Sequence, residues 1–150
     1  MIKHNPRVLI VDDDENIRVI LSNLVKKEGF EVGVAEEGET ALRMIRSGAV
    51  DLLITDIRVS GMDGMELLDK AKGLDRELPV VFITGHADVQ GAVKAIKAGA
   101  HDYITKQYCP KSRQSKCNNQ FRRKQAYIIE RILNNALGNN LHSVLARRQK

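Results

Sequence analysis

The sequence has few cysteines and no long apolar run. Its 150 residues include two cysteines, Cys109 and Cys117, which are too few to predict a disulfide framework. No apolar stretch approaches the roughly 20 residues that a transmembrane helix needs, so we expect no association with a membrane. The first six residues, MIKHNP, lack the apolar core and cleavage site of a secretory signal. These absences favour a cytoplasmic protein.

Acidic residues are nearly absent from the C-terminal part of the chain. Residues 107–150 contain ten lysines and arginines but a single acid, Glu130, which gives a net charge of +9. Residues 1–106 contain 14 basic and 18 acidic residues, which gives a net charge of −4. Such an asymmetry indicates two segments with different roles or different origins.

The first 106 residues alternate between strand patterns and helix patterns. Short apolar runs predict five strands, at residues 7–11, 30–35, 51–55, 79–83 and 101–104. Apolar residues at helical spacing predict four helices between them, near residues 17–25, 39–46, 65–71 and 89–96. Strands that alternate with helices predict a parallel sheet covered by helices on both faces. We therefore expect an α/β fold of the doubly wound kind.

Polar residues follow the predicted strands at one edge of this sheet. Open parallel sheets bind ligands outside the carboxyl ends of their strands. Those ends carry, in chain order, Asp12 and Asp13, Asp56, Thr84 and Lys106. Carboxylates that converge on one place repel one another, which predicts a bound hard cation such as Mg²⁺.

These residue types suit the transfer of a phosphoryl group. A carboxylate such as Asp56 can act as a nucleophile toward phosphorus. A cation beside it would neutralise the incoming group, whose transfer depends mainly on positioning and charge stabilisation. Lys106 adds a movable positive charge, and Thr84 adds a hydrogen-bond donor. Singly, each has a plainer interpretation, such as a turn residue or, for Asp14, a helix cap. Their conjunction at four strand ends favours a phosphoryl-transfer site.

Four stretches of the sequence resemble the receiver domain of two-component response regulators. They are VLIVDDDENIR (8–18), DLLITDIRVSGMDGMELL (51–68), PVVFITGHADV (79–89) and AVKAIKAGAHDYITK (92–106). The resemblance covers about residues 5–106, and the last two stretches are most similar to receivers of sigma-54-dependent transcription activators. It implies a flavodoxin-like fold, with a parallel five-stranded sheet in the strand order 2-1-3-4-5. It also implies a function in phosphorelay signal transduction.

The resemblance implies a phosphoacceptor and a metal site at the predicted sheet edge. By position, Asp56 would accept the phosphoryl group from a sensor histidine kinase or from acetyl phosphate. Mg²⁺ or Mn²⁺ would be held by Asp12, Asp13, Asp56 and the backbone carbonyl of Arg58. The chain would then be no conventional enzyme, but a phosphoacceptor with self-catalysed transfer and slow autodephosphorylation.

The resemblance also implies a switch that alters a partner-binding surface. Thr84 and Lys106 would bind the phosphoryl oxygens, so that Asp56 and Lys106 would be the catalytic residues. Tyr103 would be the aromatic switch residue, turning inward as Thr84 moves toward the phosphate. From the sequence alone, Tyr103 is simply a half-buried strand aromatic. A homodimer and a downstream effector protein are the further partners that this family implies.

Three features depart from the family pattern. Val59 and Ser60 stand where the family often has Met-Pro. Gln107 follows Lys106 where the family normally has proline, and a cis bond without proline costs about 2.5–4 kcal/mol. We therefore expect a trans bond there and a different placement of Lys106. Residues 107–126 lack helical periodicity where the family's last helix should begin, so we expect that helix to be atypical.

Residues 107–150, called the basic tail below, leave several interpretations open. Apolar residues recur at helical spacing after Tyr127, so a replacement helix at about residues 119–137 is one interpretation. A poorly ordered extension and a change of reading frame after Lys106 are two others. The run Arg122-Arg123-Lys124 favours weak contact with nucleic acid or an acidic partner.

A zinc site in the basic tail is disfavoured. Cys109, Cys117 and His142 supply only three candidate ligands. Structural zinc sites have four ligands, usually with two to four residues between paired cysteines. The seven-residue gap between the two cysteines does not fit that spacing.

The sequence thus predicts a receiver domain over residues 1–106, which in the family extends to about residue 125, and a basic tail over 107–150. Its leading predicted function is a receiver that is phosphorylated on Asp56. Two alternatives stay open: an interaction module that works without phosphorylation, and a nucleic-acid binder that depends on the tail. A dinucleotide-binding enzyme is disfavoured because no G-x-G-x-x-G motif follows the first strand.

Overall fold

The computed structural model describes residues 6–84, 89–105 and 131. Its strands are β1 (Arg7–Val11), β2 (Glu31–Ala35), β3 (Leu52–Thr55), β4 (Arg58–Val59), β5 (Met62–Asp63), β6 (Val80–Thr84) and β7 (Asp102–Thr105). Its helices are α1 (Glu15–Lys27), α2 (Gly38–Arg46), α3 (Gly64–Leu74) and α4 (Val89–Lys97). The five predicted strands and the four predicted helices are all present, with bounds that differ by three residues or fewer.

Five parallel strands form the central sheet in the order β2-β1-β3-β6-β7. Because β4 and β5 form a separate short hairpin, this is the predicted order 2-1-3-4-5 of the long strands. The predicted flavodoxin-like, doubly wound fold is therefore confirmed. Val11 at the end of β1 lies opposite both Ala35 of β2 and Thr55 of β3. The carboxyl ends of these three strands consequently meet at one edge.

The alternation of side chains along the strands divides the core into two layers. On one face, strand residues such as Leu9 and Phe82 pack with apolar residues of α2, α3 and α4. On the other face, strand residues such as Val8 pack with Leu21 of α1. Every residue of β1 from Val8 onward, and every residue of β3, is at most 1% exposed. Burial on both faces explains why these strands are continuous apolar runs rather than alternating ones.

Helix α1 begins at Glu15, directly after the three aspartates that follow β1. Asp14 is its N-cap, as expected, and the Asp14 side chain accepts a hydrogen bond of 2.9 Å from the backbone N–H of Asn16. The helix ends before Gly29, whose φ of 91° reverses the chain toward β2. None of the helices in the described part of the chain has the length and apolarity that crossing a membrane requires.

The segment between β3 and α3 contains two short strands in addition to the five that we predicted. It contains the antiparallel hairpin of β4 and β5, which are joined by Ser60 and Gly61. Gly61 has a φ of +77°, a conformation that glycine adopts without steric cost. The Ser-Gly dipeptide is a recognised turn signal, so this hairpin was within reach of sequence analysis.

Several predictions concern residues outside the described ranges. These are the placement of Lys106, the trans peptide bond after it, and the structure of the basic tail, with its disfavoured zinc ligands. Within the tail the structure describes Arg131 alone, which is helical and exposed. The predicted boundary between receiver and tail thus stays a prediction.

Lys72 ties the end of α3 to the segment that leads into β6. Its ammonium donates hydrogen bonds to the backbone oxygens of Leu78, at 2.7 Å, and Arg76, at 3.3 Å. Burial lowers the pKa of Lys72 from the ordinary 10.5, and the nearby Asp75 carboxylate opposes that shift. Burial is the larger of the two effects, so the charged amine carries a net desolvation cost in the folded protein.

This pKa shift predicts a pH-dependent difference between the wild type and Lys72→Met. As the pH rises from the folded-state pKa toward 10.5, the unfolded chain holds a proton that the folded chain has released. The stability of the wild type relative to Lys72→Met should therefore rise over that window. Urea unfolding at a series of alkaline pH values measures this, with Lys70→Met as the control because Lys70 is an exposed lysine of the same helix. Identical pH profiles for the two variants would contradict the account.

Candidate functional site

The two acids Asp12 and Asp56 follow directly after paired strand residues. Val11 and Thr55 are register partners in β1 and β3, and neighbouring strands lie about 4.8 Å apart. The pairing continues one residue further, because the N–H of Asp56 donates to the oxygen of Val11 at 3.1 Å. The N–H of Asp12 donates to the oxygen of Ala35 in β2 at 3.2 Å. Backbone hydrogen bonds thus fix both acids at the carboxyl edge.

Asp12 is the buried acid of the pair, with 2% of its surface exposed. Its Oδ1 accepts a hydrogen bond of 2.9 Å from the N–H of Asp14. The guanidinium of Arg18 donates to the backbone oxygen of Asp12, which ties the first turns of α1 to the end of β1. Asp13 lies between these acids in sequence and is exposed. A buried carboxylate and an exposed one therefore stand side by side.

Asp56 is half-buried, so its carboxylate lies at the boundary between the sheet edge and solvent. Its Oδ1 is 3.4 Å from the backbone N–H of Arg58, a long hydrogen bond that turns the chain back over the acid. Thr55 is buried, and its hydroxyl donates to the backbone oxygen of Asp56 at 3.0 Å. The backbone of Asp56 is therefore fixed, while its side chain can be reached from solvent.

Gly64 closes the segment that follows Asp56. Its N–H donates to the oxygen of Ile57 at 2.7 Å. A Cβ atom at this position would lie 2.7 Å from that oxygen and 2.8 Å from the oxygen of Asp56. Asp63 caps the helix that begins here, because its Oδ1 accepts from the N–H of Met65 at 3.0 Å. The turn after the acid thus requires glycine for space rather than for conformation.

Thr84 lies at the same edge of the sheet, whereas Lys106 falls outside the residues that the structure describes. Thr84 ends β6 and is the register partner of Thr105, the last residue of β7. Lys106 comes directly after Thr105 in sequence but lies outside the described residues. Tyr103 is half-buried beside Phe82, with ring centroids 6.3 Å apart and a 49° angle between the ring planes. That position agrees with the plain strand aromatic and with the predicted switch residue alike.

A divalent cation fits the chemistry of this edge. Hard cations prefer oxygen ligands, and Asp12, Asp13 and Asp56 offer carboxylates within one short stretch of sheet edge. Among residues 6–84, 89–105 and 131, no three carboxylate, imidazole or thiolate groups are already gathered as a metal cluster. Side-chain rotations at the exposed Asp13 and the half-buried Asp56 would therefore have to complete the shell. The metal site stays a prediction.

Sequence analysis missed two supports of this edge. Arg18 lies six residues beyond Asp12, and no sequence pattern indicates its bond to the backbone of Asp12. The role of Gly64 depends on a close approach that only the folded hairpin creates.

Beside the edge, a cleft of about 410 Å³ is lined by Arg18, Val34, Ala35, Glu36, Glu37 and Thr40. It places a second pair of acids next to the predicted metal site.

Comparison with known proteins gives a consistent result. The family model described as "Response regulator receiver domain" matches residues 8–116. The match ends ten residues beyond Lys106. The regulatory protein AtoC of Escherichia coli is 38% identical over 102 residues, which are 68% of this chain and 22% of AtoC. This chain thus spans about a fifth of the length of that curated relative. Other curated relatives include the transcriptional regulators DctD and ZraR and an NtrX-like response regulator.

Solved structures agree with the sequence comparison. A CheY-like receiver domain from Methanospirillum hungatei matches with a TM-score of 0.65 and 32% identity, covering 81% of this chain and 98% of its own. The beryllofluoride-activated NtrC4 receiver domain dimer matches with a TM-score of 0.65 and 31% identity, covering 80% of this chain and 94% of its own. The predicted resemblance to receivers, and to those of sigma-54-dependent activators in particular, is confirmed.

The geometry at Gly64 predicts opposite effects of alanine at the two ends of α3. Gly64→Ala should lower the free energy of unfolding by about 1–3 kcal/mol, because its methyl group would overlap two backbone oxygens. Gly73→Ala in the same helix should raise it by about 0.5–1 kcal/mol, because nothing lies within 4 Å of the added Cβ. Urea unfolding of both variants measures these changes. Equal effects at the two positions would show that Gly64 is not sterically required.

Proposed function

The chain belongs to the response regulator receiver domain family, and we propose that it is a phosphorelay switch whose phosphoacceptor is Asp56. One observation carries the choice of residue. Asp56 directly follows the strand residue paired with Val11, so it lies beside the buried Asp12 at the carboxyl edge. Its half-buried carboxylate combines a fixed backbone with access from solvent. A phosphoacceptor needs both properties, because the donor approaches from outside.

The proposed reaction is a direct transfer between two covalent carriers. A carboxylate oxygen of Asp56 forms a bond to phosphorus, and the bond from phosphorus to the donor breaks. The donor is the phosphohistidine of a kinase or acetyl phosphate, and its leaving nitrogen or oxygen keeps the electron pair. The product is an acyl phosphate on Asp56, which water slowly hydrolyses. The chain thereby promotes its own modification and does not turn over an external substrate as an enzyme would.

The proposal includes a metal ion at the acidic edge. Asp12, Asp13, Asp56 and the backbone carbonyl of Arg58 would hold Mg²⁺ or Mn²⁺, which supplies charge neutralisation for the phosphoryl group. The hydrogen bond from the Arg58 N–H to Asp56 supports this set, since it brings the backbone at Arg58 next to the acceptor. Arg18 fixes the backbone of Asp12, so that this acid keeps its position when its neighbours rotate.

Three further residues complete the proposed switch. Thr84 and Lys106 would bind the phosphoryl oxygens, and the pairing of Thr84 with Thr105 supports their placement at one edge. Lys106 would then act with Asp56 in the transfer, as a positive charge beside the phosphoryl group. Tyr103 would report the modification by changing its packing against Phe82. The altered surface on β7 and α4 would be what a partner recognises.

The proposed partners are a sensor histidine kinase, a second copy of the chain and a downstream effector. Val93 and Ile96 of α4 are 46% and 48% exposed, which supports self-association through that helix. Several curated relatives are named transcriptional regulators, so we include the regulation of transcription in the proposal. We place the protein in the cytoplasm, where kinase phosphohistidine and acetyl phosphate are formed. Residues 1–106 would be the receiver and residues 107–150 the basic tail.

Incubation with acetyl phosphate and Mg²⁺, followed by intact mass measurement, tests the proposed acceptor. We expect one phosphoryl adduct on the wild type, none on Asp56→Asn, and none when EDTA removes the cation. Asp69→Asn is the matched control, because Asp69 is an exposed aspartate of α3 away from the acidic edge. Asp12→Asn and Asp13→Asn should form the adduct only at higher Mg²⁺ concentrations.

The outcome separates this proposal from the two alternatives. An adduct that persists in Asp56→Asn would place the acceptor elsewhere. A folded wild type without any adduct would favour an interaction module that works without phosphorylation. Nucleic-acid binding through the tail predicts an affinity that falls steeply with salt and is lost when the tail is removed.

A further inference from the structure

Residues 35–38, the β2–α2 junction, contact both sides of the proposed metal site. At one end of the junction, the oxygen of Ala35 accepts the hydrogen bond of 3.2 Å from the N–H of Asp12. Toward the other end, Glu37 forms an isolated parallel β-bridge with Ser60, at the turn between β4 and β5. The β2–α2 junction therefore connects the end of β1, with its acids, to the β4–β5 hairpin.

Gly38 and Met62 form a close contact where α2 meets this hairpin. Gly38 is the first residue of α2, Met62 is the first residue of β5, and both are buried. A Cβ atom on Gly38 would lie 2.8 Å from the Cβ of Met62, 3.0 Å from its Sδ and 3.3 Å from its Cγ. Any side chain at position 38 would therefore overlap the hairpin.

This overlap could not be relieved by rotation of the Met62 side chain alone. The Sδ atom could turn away, but the Cβ of Met62 is fixed by the backbone of β5, so either the hairpin or α2 would have to move. Gly38 is not among the described glycines with positive φ, so its backbone conformation does not require glycine. Alanine also has the higher helix propensity. Glycine is therefore needed here for the contact with the hairpin.

The base of the same hairpin is held beside the proposed acceptor. The N–H of Gly64 donates to the oxygen of Ile57 at 2.7 Å. Arg58 lies between this base and the contact with Gly38, and it pairs with Asp63 across the hairpin. Because the hairpin is supported at both ends, its distance from α2 also sets where the backbone of Arg58 lies.

We propose that Gly38 is a positioning residue, which sets the spacing between the two sides of the metal site through its contact with Met62. The inference rests on the proposed function, in which the Asp12 carboxylate and the Arg58 carbonyl hold the same ion. Ligands on separate segments bind an ion tightly only when surrounding contacts hold those segments at the required spacing. Gly38 touches neither the ion nor the phosphoryl group and acts through the hairpin.

Mn²⁺ titration of the full chain, followed by the electron paramagnetic resonance signal of the free ion, tests Gly38→Ala. We expect the Kd for Mn²⁺ to rise about tenfold, because loss of the contacts that orient metal ligands weakens binding by about that factor or more. Gly33→Ala is the matched control, since its Cβ would also meet a methionine, at 2.7 Å from the Cε of Met44. That Cε is the mobile end of a side chain and Gly33 lies outside the β2–α2 junction, so this variant should keep the wild-type Kd.

The outcomes separate this inference from the proposed function. A wild type that binds no Mn²⁺ at the acidic edge would overturn the metal site and the inference together. A wild type that binds Mn²⁺ with the same Kd as Gly38→Ala would overturn the inference alone. Equal weakening in Gly38→Ala and Gly33→Ala would also overturn it, because a general disturbance of the packing between β2 and α2 would then explain the loss.

A measurement on the wild type keeps the inference testable if Gly38→Ala does not fold. NOE spectra should connect the Hα protons of Gly38 to the Hβ protons of Met62, both without Mg²⁺ and with saturating Mg²⁺. A positioning contact must exist before the ion binds and must persist afterwards. Absence of these NOEs in both states, or their loss when Mg²⁺ is added, would show that the hairpin moves independently of α2 and would overturn the inference.

Discussion

The parallel pairing of β1 with β3 is the interaction on which the rest of the structure depends. Both strands are central, and their paired residues are almost completely buried from both faces, so their register cannot slip without exposing a core layer. That register brings Asp12 and Asp56 to the same level at the carboxyl edge. Two acids that would repel each other in isolation are held together by apolar burial elsewhere in the sheet. The site is thus a consequence of packing on both sides of two strands.

Asp12 and Asp56 are the same type of residue but lie in different environments. Asp12 is buried and receives a hydrogen bond from the Asp14 backbone, and Arg18 fixes its backbone from α1. Asp56 has an equally fixed backbone but a carboxylate that solvent can reach. The first arrangement suits a permanent ligand, and the second suits a residue that reacts with an incoming donor. Gly64 preserves this difference, because any larger residue would press on the backbone of Asp56.

Much of this arrangement could be predicted from the sequence, because it rests on local periodicity. The apolar runs of β1 and β3, the cap at Asp14 and the glycines after α1 and α2 each reflect short-range rules. The contact of Arg18 with Asp12 could not be predicted, since it depends on how α1 leaves the strand. The space required at Gly64 likewise depends on a hairpin that must first fold. The predictions for Lys106 and the basic tail stay predictions, because Lys106 and all of the tail except Arg131 lie outside the described residues.

The central claim is that the β1–β3 register creates a cation site, and Mn²⁺ titration of the full chain tests it most directly. Paramagnetic broadening of backbone amide signals locates the bound ion without requiring any phosphoryl transfer. The account predicts that the signals of Asp12, Asp13, Asp56 and Arg58 broaden first, and that Asp56→Asn weakens this effect. Broadening that begins instead at Glu36 and Glu37, the acids of the neighbouring cleft, would contradict the account.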